Sequence, residues 1–334
     1  MRPARRNSQP CCDLTDQYTS SMTKSPAIRT PDARFTGLPG FPFEPRYIEL
    51  IDRRLGTLRM HYVDEGAAEA PIVLMLHGEP TWSYLYRKII PRVTAGGYRA
   101  VAPDYIGFGR SDKPADRASY TYQNHVDWMV EFVDRLGLRR CTLLLQDWGG
   151  PIGLRLLAER PQRFDAVLLA NTLLPNCEPP PRGIEDWPGP IVGPWAQSTA
   201  HASDFDIGLV MRSVCATIDS AVVAAYEAPF PDASYKAGVL EFPSMIPLRE
   251  DSPGIDENRR TWQFLERFTR PVVTAFSVAD PATKPWQSVF RERIPGAHGE
   301  PHVEIENAGH FVQEDGTEPL SAALMALLDR QYRA

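Results

Sequence analysis

Eight short runs rich in apolar and β-branched residues recur along the chain. They predict strands at Tyr47–Ile51, Leu58–Val63, Ile72–Leu76, Arg99–Ala102, Thr142–Leu145, Ala166–Leu169, Val272–Phe276 and His302–Ile305. The first two read as a hairpin with Arg53, Arg54 and Gly56 at its turn. The later runs are almost wholly apolar, as strands buried on both faces are. Between them, Trp82–Val93, Asn124–Leu136 and Gly150–Arg160 repeat apolar positions at helical spacing. Gly137 stops the second of these helices, Pro161 stops the third, and a helix at Pro319–Gln331 closes the chain. Strands alternating with helices predict an α/β fold, a mostly parallel eight-stranded sheet with helices on both faces.

The alternation breaks between Leu174 and Pro253. Pro175, Pro179, Pro180, Pro181, Pro188, Pro190 and Pro194 crowd the start of this stretch, and weak helical segments follow near Asp206–Cys215 and Ser220–Tyr226. Proline ends helices and stays out of central strands, so the expectation is an irregular helical insertion. The chain thus divides into a core at 25–173 and 254–334 and a helical cap, or lid, at 174–253. The cap is expected over the C-terminal edge of the sheet, where ligands of open α/β sheets bind. Residues 1–24 are polar and aperiodic and read as a disordered extension; Met22 offers a second start for translation.

With 334 residues, 43% of them hydrophobic and 23% charged, the chain can bury one large core of ordinary globular type. A net charge of −6 and the lack of a basic run argue against nucleic acid as a partner. No apolar stretch is long enough to span a bilayer. The basic start Met1–Arg6 lacks the apolar segment of a signal peptide. Cys11, Cys12, Cys141, Cys177 and Cys215 are odd in number and match no zinc spacing, which fits a reducing, cytoplasmic setting.

Chemistry enters at Cys141-Thr142-Leu143-Leu144-Leu145-Gln146-Asp147-Trp148-Gly149-Gly150, which runs from a buried strand straight into a helix. Asp147 sits at the junction, and two glycines after it suit a turn where backbones pass closely. The alternative is an Asp that merely caps the following helix. The layout is the strand–turn–helix elbow that presents a nucleophile, with Asp in place of Ser and Leu145 where a small residue is usual. That replacement changes the chemistry. A serine must first lose its proton to a histidine. A free carboxylate, with a pKa of about 3.9, is ionised at neutral pH and can displace a leaving group from an sp3 carbon to give an ester.

Of the seven histidines, only His77 and His310 follow predicted strands beside glycine. His310, in Asn307-Ala308-Gly309-His310-Phe311, is placed to act as general base. Asp280, after the strand ending at Phe276, is placed to orient it; the rival acid position after Leu169 holds Asn171 and Thr172 and no carboxylate. Nucleophile, acid and histidine then follow the chain order of α/β-hydrolases. In that fold the loop His77-Gly78-Glu79-Pro80 and the residue after the nucleophile supply the two N–H groups of an oxyanion hole, here Glu79 and Trp148.

Four segments carry a specific resemblance: Gly78-Glu79-Pro80-Thr81-Trp82-Ser83-Tyr84; Asp104-Tyr105-Ile106-Gly107-Phe108-Gly109-Arg110-Ser111-Asp112-Lys113-Pro114; Gln146-Asp147-Trp148-Gly149-Gly150; and Ala308-Gly309-His310-Phe311-Val312-Gln313-Glu314. The chain resembles haloalkane dehalogenases from about Ala27 to its end, most of all the subfamily of the Xanthobacter 1,2-dichloroethane enzyme. The resemblance implies hydrolysis of a small halogenated alkane to a primary alcohol, halide and a proton, through an alkyl ester on Asp147. It implies that two indole N–H groups hold the halide. One is that of Trp148; the other lies in the lid, where an ungapped count from Ala228–Asp232 lands on Trp195, with Trp187 as rival. It also implies that the Glu79 side chain helps position the hydrolytic water, and it implies no metal or organic cofactor. A monomer is expected. The Asp104–Pro114 run is given a shaping role, with no catalysis assigned to Asp104 or Asp112. Pro151, Val192 and Gly193 stand where bulkier residues can line the family's pocket. An epoxide hydrolase, with Tyr226 or Tyr235 as proton donors, and a non-catalytic binding protein remain as alternatives.

Overall fold

The computed structural model describes residues 27–177 and 189–333. The N-terminal extension with Cys11, Cys12 and Met22, and the rival tryptophan Trp187, lie outside the described residues. Among the described residues there are ten strands: β1 (Ala27–Ile28), β2 (Arg46–Asp52), β3 (Gly56–Glu65), β4 (Ile72–Leu76), β5 (Arg99–Pro103), β6 (Lys113–Pro114), β7 (Cys141–Gln146), β8 (Phe164–Ala170), β9 (Val272–Ser277) and β10 (Val303–Ile305). Eight of them form one sheet in the order β10-β9-β8-β7-β4-β5-β3-β2. Only β3 runs against its neighbours, β2 and β5. The other pairs are parallel, and every residue of β4, β7 and β9 is buried. This is why their sequences are continuous apolar runs.

The helices among the described residues are α1 (Ile90–Ala95), α2 (Tyr122–Arg135), α3 (Gly149–Glu159), α4 (Gly189–Ser198), α5 (Ile207–Val214), α6 (Ser220–Glu227), α7 (Ala237–Glu241), α8 (Ile255–Leu265), α9 (Trp286–Arg293), α10 (Val312–Asp315) and α11 (Thr317–Tyr332). The hydroxyl of Thr121 accepts from the Asn124 N–H at 3.0 Å and caps α2; Asp206 and Asp219 cap α5 and α6 in the same way. Helices α2, α3 and α8 pack side by side, and α11 lies against β8, β9 and β10. Helices α4 to α8 fall between β8 and β9.

Three local expectations change. The predicted helix Trp82–Val93 is broken into a 3-10 turn at Ser83–Tyr86 and α1. Pro91, which has no N–H to donate, sits in the first turn of α1 and so marks a start, not an interior. Conversely, the proline-rich stretch before Ser198 contains a helix, α4, with Pro194 inside it. Pro190 occupies the first turn, where free N–H groups have no partners. Pro194 forfeits a single early hydrogen bond. Finally, β1 pairs antiparallel with β6 in a two-stranded sheet that apolar periodicity did not signal.

Candidate active site

The C-terminal ends of β4, β7, β8, β9 and β10 open onto one place. Asp147 follows β7 with φ 49°, in the left-handed region that non-glycine residues rarely enter. Its N–H donates to the Asn171 carbonyl at 3.0 Å, and the Thr172 hydroxyl donates to its carbonyl at 2.6 Å. The strained turn is thus pinned on both sides by the end of β8. Just beyond, a Cβ on Gly149 would overlap the Leu76 carbonyl oxygen of β4, so only glycine lets α3 start there. Gly149→Ala is expected to destabilise the fold by about 2–4 kcal/mol, read from a denaturant midpoint.

Asp147 does not cap α3, which has no side-chain cap. Its carboxylate points the other way, with Oδ1 accepting the Glu79 N–H at 2.8 Å and Oδ2 lying 3.3 Å from His310 Nε2. On the far side of the ring, His310 Nδ1 meets Asp280 Oδ2 at 2.9 Å. Asp280 also accepts from the Thr283 hydroxyl and, at 3.1 Å, from the Ala282 N–H. The three residues foreseen from the sequence are therefore brought together, His310 lying between two carboxylates.

The electrostatics follow from that order. Burial pushes the Asp280 carboxyl up, but the His310 charge and the hydrogen bonds from His310, Thr283 and Ala282 outweigh it, and its pKa falls below the ordinary value. Burial pulls the His310 imidazolium down; the Asp280 charge and the hydrogen bonds to Asp147 and Asp280 prevail and lift its pKa to about 10. Glu79 is 5% exposed, and its Oε1 has no partner in the protein. Burial, reinforced by the Asp147 charge, raises its pKa well above the ordinary range.

Several supporting groups went unread in the sequence. Asn171 donates from Nδ2 to the His310 carbonyl at 2.8 Å and to the Gly309 carbonyl at 3.1 Å, while its Oδ1 accepts the Ser277 N–H at 2.7 Å. Gln146 Nε2 reaches the His310 carbonyl at 3.3 Å. His77, the other strand-end histidine, is fully buried and serves as a brace. Its Nε2 accepts the Tyr105 N–H at 3.1 Å, so Nδ1 donates to the Gly78 carbonyl at 2.9 Å. Asp104 is enclosed by His61 and by the N–H groups of Ser83 and Arg110; Asp112 is enclosed by Arg29 and the Arg59 N–H. Neither carboxylate reaches the site.

A cavity of about 780 Å³ lies over the triad. Glu79, Asp147, Trp148 and His310 form its floor, and Ile191, Val192, Trp195, Val210 and Val214 contribute a mostly apolar wall from α4 and α5. Trp148 and Trp195 therefore line the same space. Of the three positions expected to set pocket size, Val192 lines it and Pro151 and Gly193 do not.

Residues 71–193 match the family model of the α/β hydrolase fold. A haloalkane dehalogenase of Psychrobacter cryohalolentis is 46% identical over 302 residues, covering 90% of this chain and 97% of that protein. One from Mycobacterium marinum is 43% identical over 90% of this chain and 98% of its own. The chain belongs to the haloalkane dehalogenase family. Among solved structures, the tetrameric haloalkane dehalogenase of Paraglaciecola agarilytica superposes with a TM-score of 0.81 at 35% identity, covering 90% of this chain and 98% of that one. Within this dehalogenase scaffold, the two tyrosines considered as epoxide-opening acids stand outside the cavity. The Tyr226 hydroxyl is fully buried and donates to Glu314, and Tyr235 is not a lining residue.

Proposed function

We propose that the protein hydrolyses carbon–halogen bonds of small haloalkanes, with Asp147 as nucleophile. The observation that carries this reading is a carboxylate, not a hydroxyl, at the elbow after β7, in line with His310 and Asp280 beneath an apolar cavity. The Asp147 carboxylate attacks the halogen-bearing carbon, the carbon–halogen bond breaks, and halide departs with the bonding pair. The indole N–H groups of Trp148 and Trp195 take the halide, since a neutral N–H on an apolar ring binds a large, weakly basic anion. Water, positioned with the help of Glu79, then attacks the ester carbonyl on Asp147 while His310 accepts its proton. The N–H groups of Glu79 and Trp148 hold the oxyanion. Collapse releases the alcohol and restores Asp147.

Ester formation also readies the base. In the resting site two carboxylates keep His310 protonated at neutral pH. Alkylation neutralises one of them, lowering the pKa of His310 just as the second step needs a proton acceptor.

Halide released from 1-bromobutane and 1,2-dibromoethane is the decisive assay. Diol from styrene oxide, with no halide from either alkane, would replace this reading with an epoxide hydrolase. Trp195→Phe is expected to weaken halide binding by about 10-fold or more, the value of one hydrogen bond to an anion; bromide or iodide quenching of tryptophan fluorescence measures it. We take the enzyme to act as a cytoplasmic monomer. No helix among the described residues is long and apolar enough to cross a membrane. Light scattering that returns a tetramer, as in the Paraglaciecola relative, would displace the monomer.

A further inference from the structure

The loop that carries His310 is fastened to the segment that follows α5 by one carboxylate outside the triad. Asp315, at the end of α10, accepts the Gly309 N–H at 2.9 Å and the Ala216 N–H at 2.8 Å on the same oxygen, Oδ2. Its Oδ1 takes the Thr217 N–H at 3.4 Å. Beside this clamp, the His310 N–H donates to the Val214 carbonyl at 2.9 Å. A Cβ on Gly309 would overlap that same carbonyl oxygen, so the two backbones touch directly. Val214, Cys215 and Ala216 also line the cavity. The wall that meets the substrate and the loop that carries the histidine are thus one hydrogen-bonded unit.

We infer that Asp315 is a positioning residue for His310, tying the base to the cap wall so that both keep one register over the Asp147 ester. The inference rests on the proposed reading of His310 as base. Asp315 itself makes no hydrogen bond to the nucleophile. Asp147 is set by the end of β8 and by the Glu79 N–H, and Asp315 bonds to neither. The two chemical steps therefore respond differently. Loss of the clamp slows ester hydrolysis far more than alkylation, because a base displaced by a fraction of an ångström no longer lines up with the water.

The test is Asp315→Ala and Asp315→Asn, each followed by stopped-flow halide release from 1,2-dibromoethane and by mass spectrometry of the enzyme during turnover. For Asp315→Ala the halide burst keeps its rate within about twofold, while steady-state turnover falls about 10- to 100-fold, the range for a small misplacement of a catalytic group. The alkyl adduct on Asp147 then accumulates. Asp315→Asn keeps one acceptor oxygen but loses the carboxylate charge that strengthens its hydrogen bonds, so its turnover falls between the parent and Asp315→Ala and a smaller excess of adduct still accumulates. Burst and steady state slowed together, or adduct no more abundant than in the parent, overturns the inference. If Asp315→Ala does not fold, Asp315→Asn decides alone: it supports the inference if adduct rises above the parent level and defeats it if adduct does not. His310→Phe run alongside separates the two claims. If it traps no adduct, the base assignment itself fails; if it traps adduct and the Asp315 variants do not, only the clamp fails.

Discussion

Asp147→Asn will abolish halide release, by about 10⁴-fold or more, and leave the protein folded. An amide cannot displace a halide, yet it fits the site in every structural respect. Asparagine tolerates the left-handed backbone at φ 49°, and its carbonyl oxygen can still accept the Glu79 N–H. Circular dichroism should match the parent, and turnover within tenfold of the parent would remove Asp147 from its role. Stability against pH gives an independent reading of the same variant. His310 has a pKa lifted from about 6.5 to about 10 in the folded state. The folded protein binds the extra proton across that window, so this contribution is complete below about pH 6.5 and is lost as pH rises through 10. Removing the Asp147 charge takes away one support of the imidazolium. Between pH 7 and 10 the denaturant midpoint of Asp147→Asn should therefore fall less steeply than that of the parent.

His310→Phe should release one halide per active site and then stall. Its steady-state rate should drop by about 10²–10⁴-fold, the usual contribution of a positioned general base. Alkylation needs only the carboxylate, so intact-mass analysis should find the alkyl group of the substrate on nearly every molecule, and peptide mapping should place it on Asp147. A variant that neither turns over nor carries an adduct would sink the two-step scheme. The substitution also strands Asp280, which is 3% exposed, with only Thr283 and the Ala282 N–H as partners. A stability loss of about 1–3 kcal/mol should accompany the kinetic effect.

How far the chain could be read in advance depended on the physics of each part. The eight sheet strands were visible to within a few residues, since strands buried on both faces admit few polar side chains and stand out against their flanks. Asp147, Asp280 and His310 were visible because each closely follows a strand, and the parallel sheet delivers all such ends to one edge. The misjudged segments were those where proline carries two meanings. At Pro91 it starts a helix, and at Pro190 and Pro194 it is tolerated inside one, yet the same residue more often signals a break. The supporting groups were the hardest to see. Asn171 drew notice only as the absence of a rival acid, whereas its amide holds the histidine loop in place. Asp315 offered no sequence signal at all, because its partners are backbone N–H groups more than five residues away or from another element. Trp195 was reached by counting through weakly similar sequence, and it lines the same cavity as Trp148.

The order of the strands in the sheet has a consequence for how the enzyme is made. His310 follows β10, the outermost and last strand to leave the ribosome, whereas Asp147, the Glu79 loop and the helices between β8 and β9 come earlier in the chain. A nascent or C-terminally clipped molecule would hold the attacking group without the group that frees it. On the proposed roles, such a molecule, if it folded, would consume one substrate and end as an ester, so the segment after β10 would separate a catalyst from a single-use reagent.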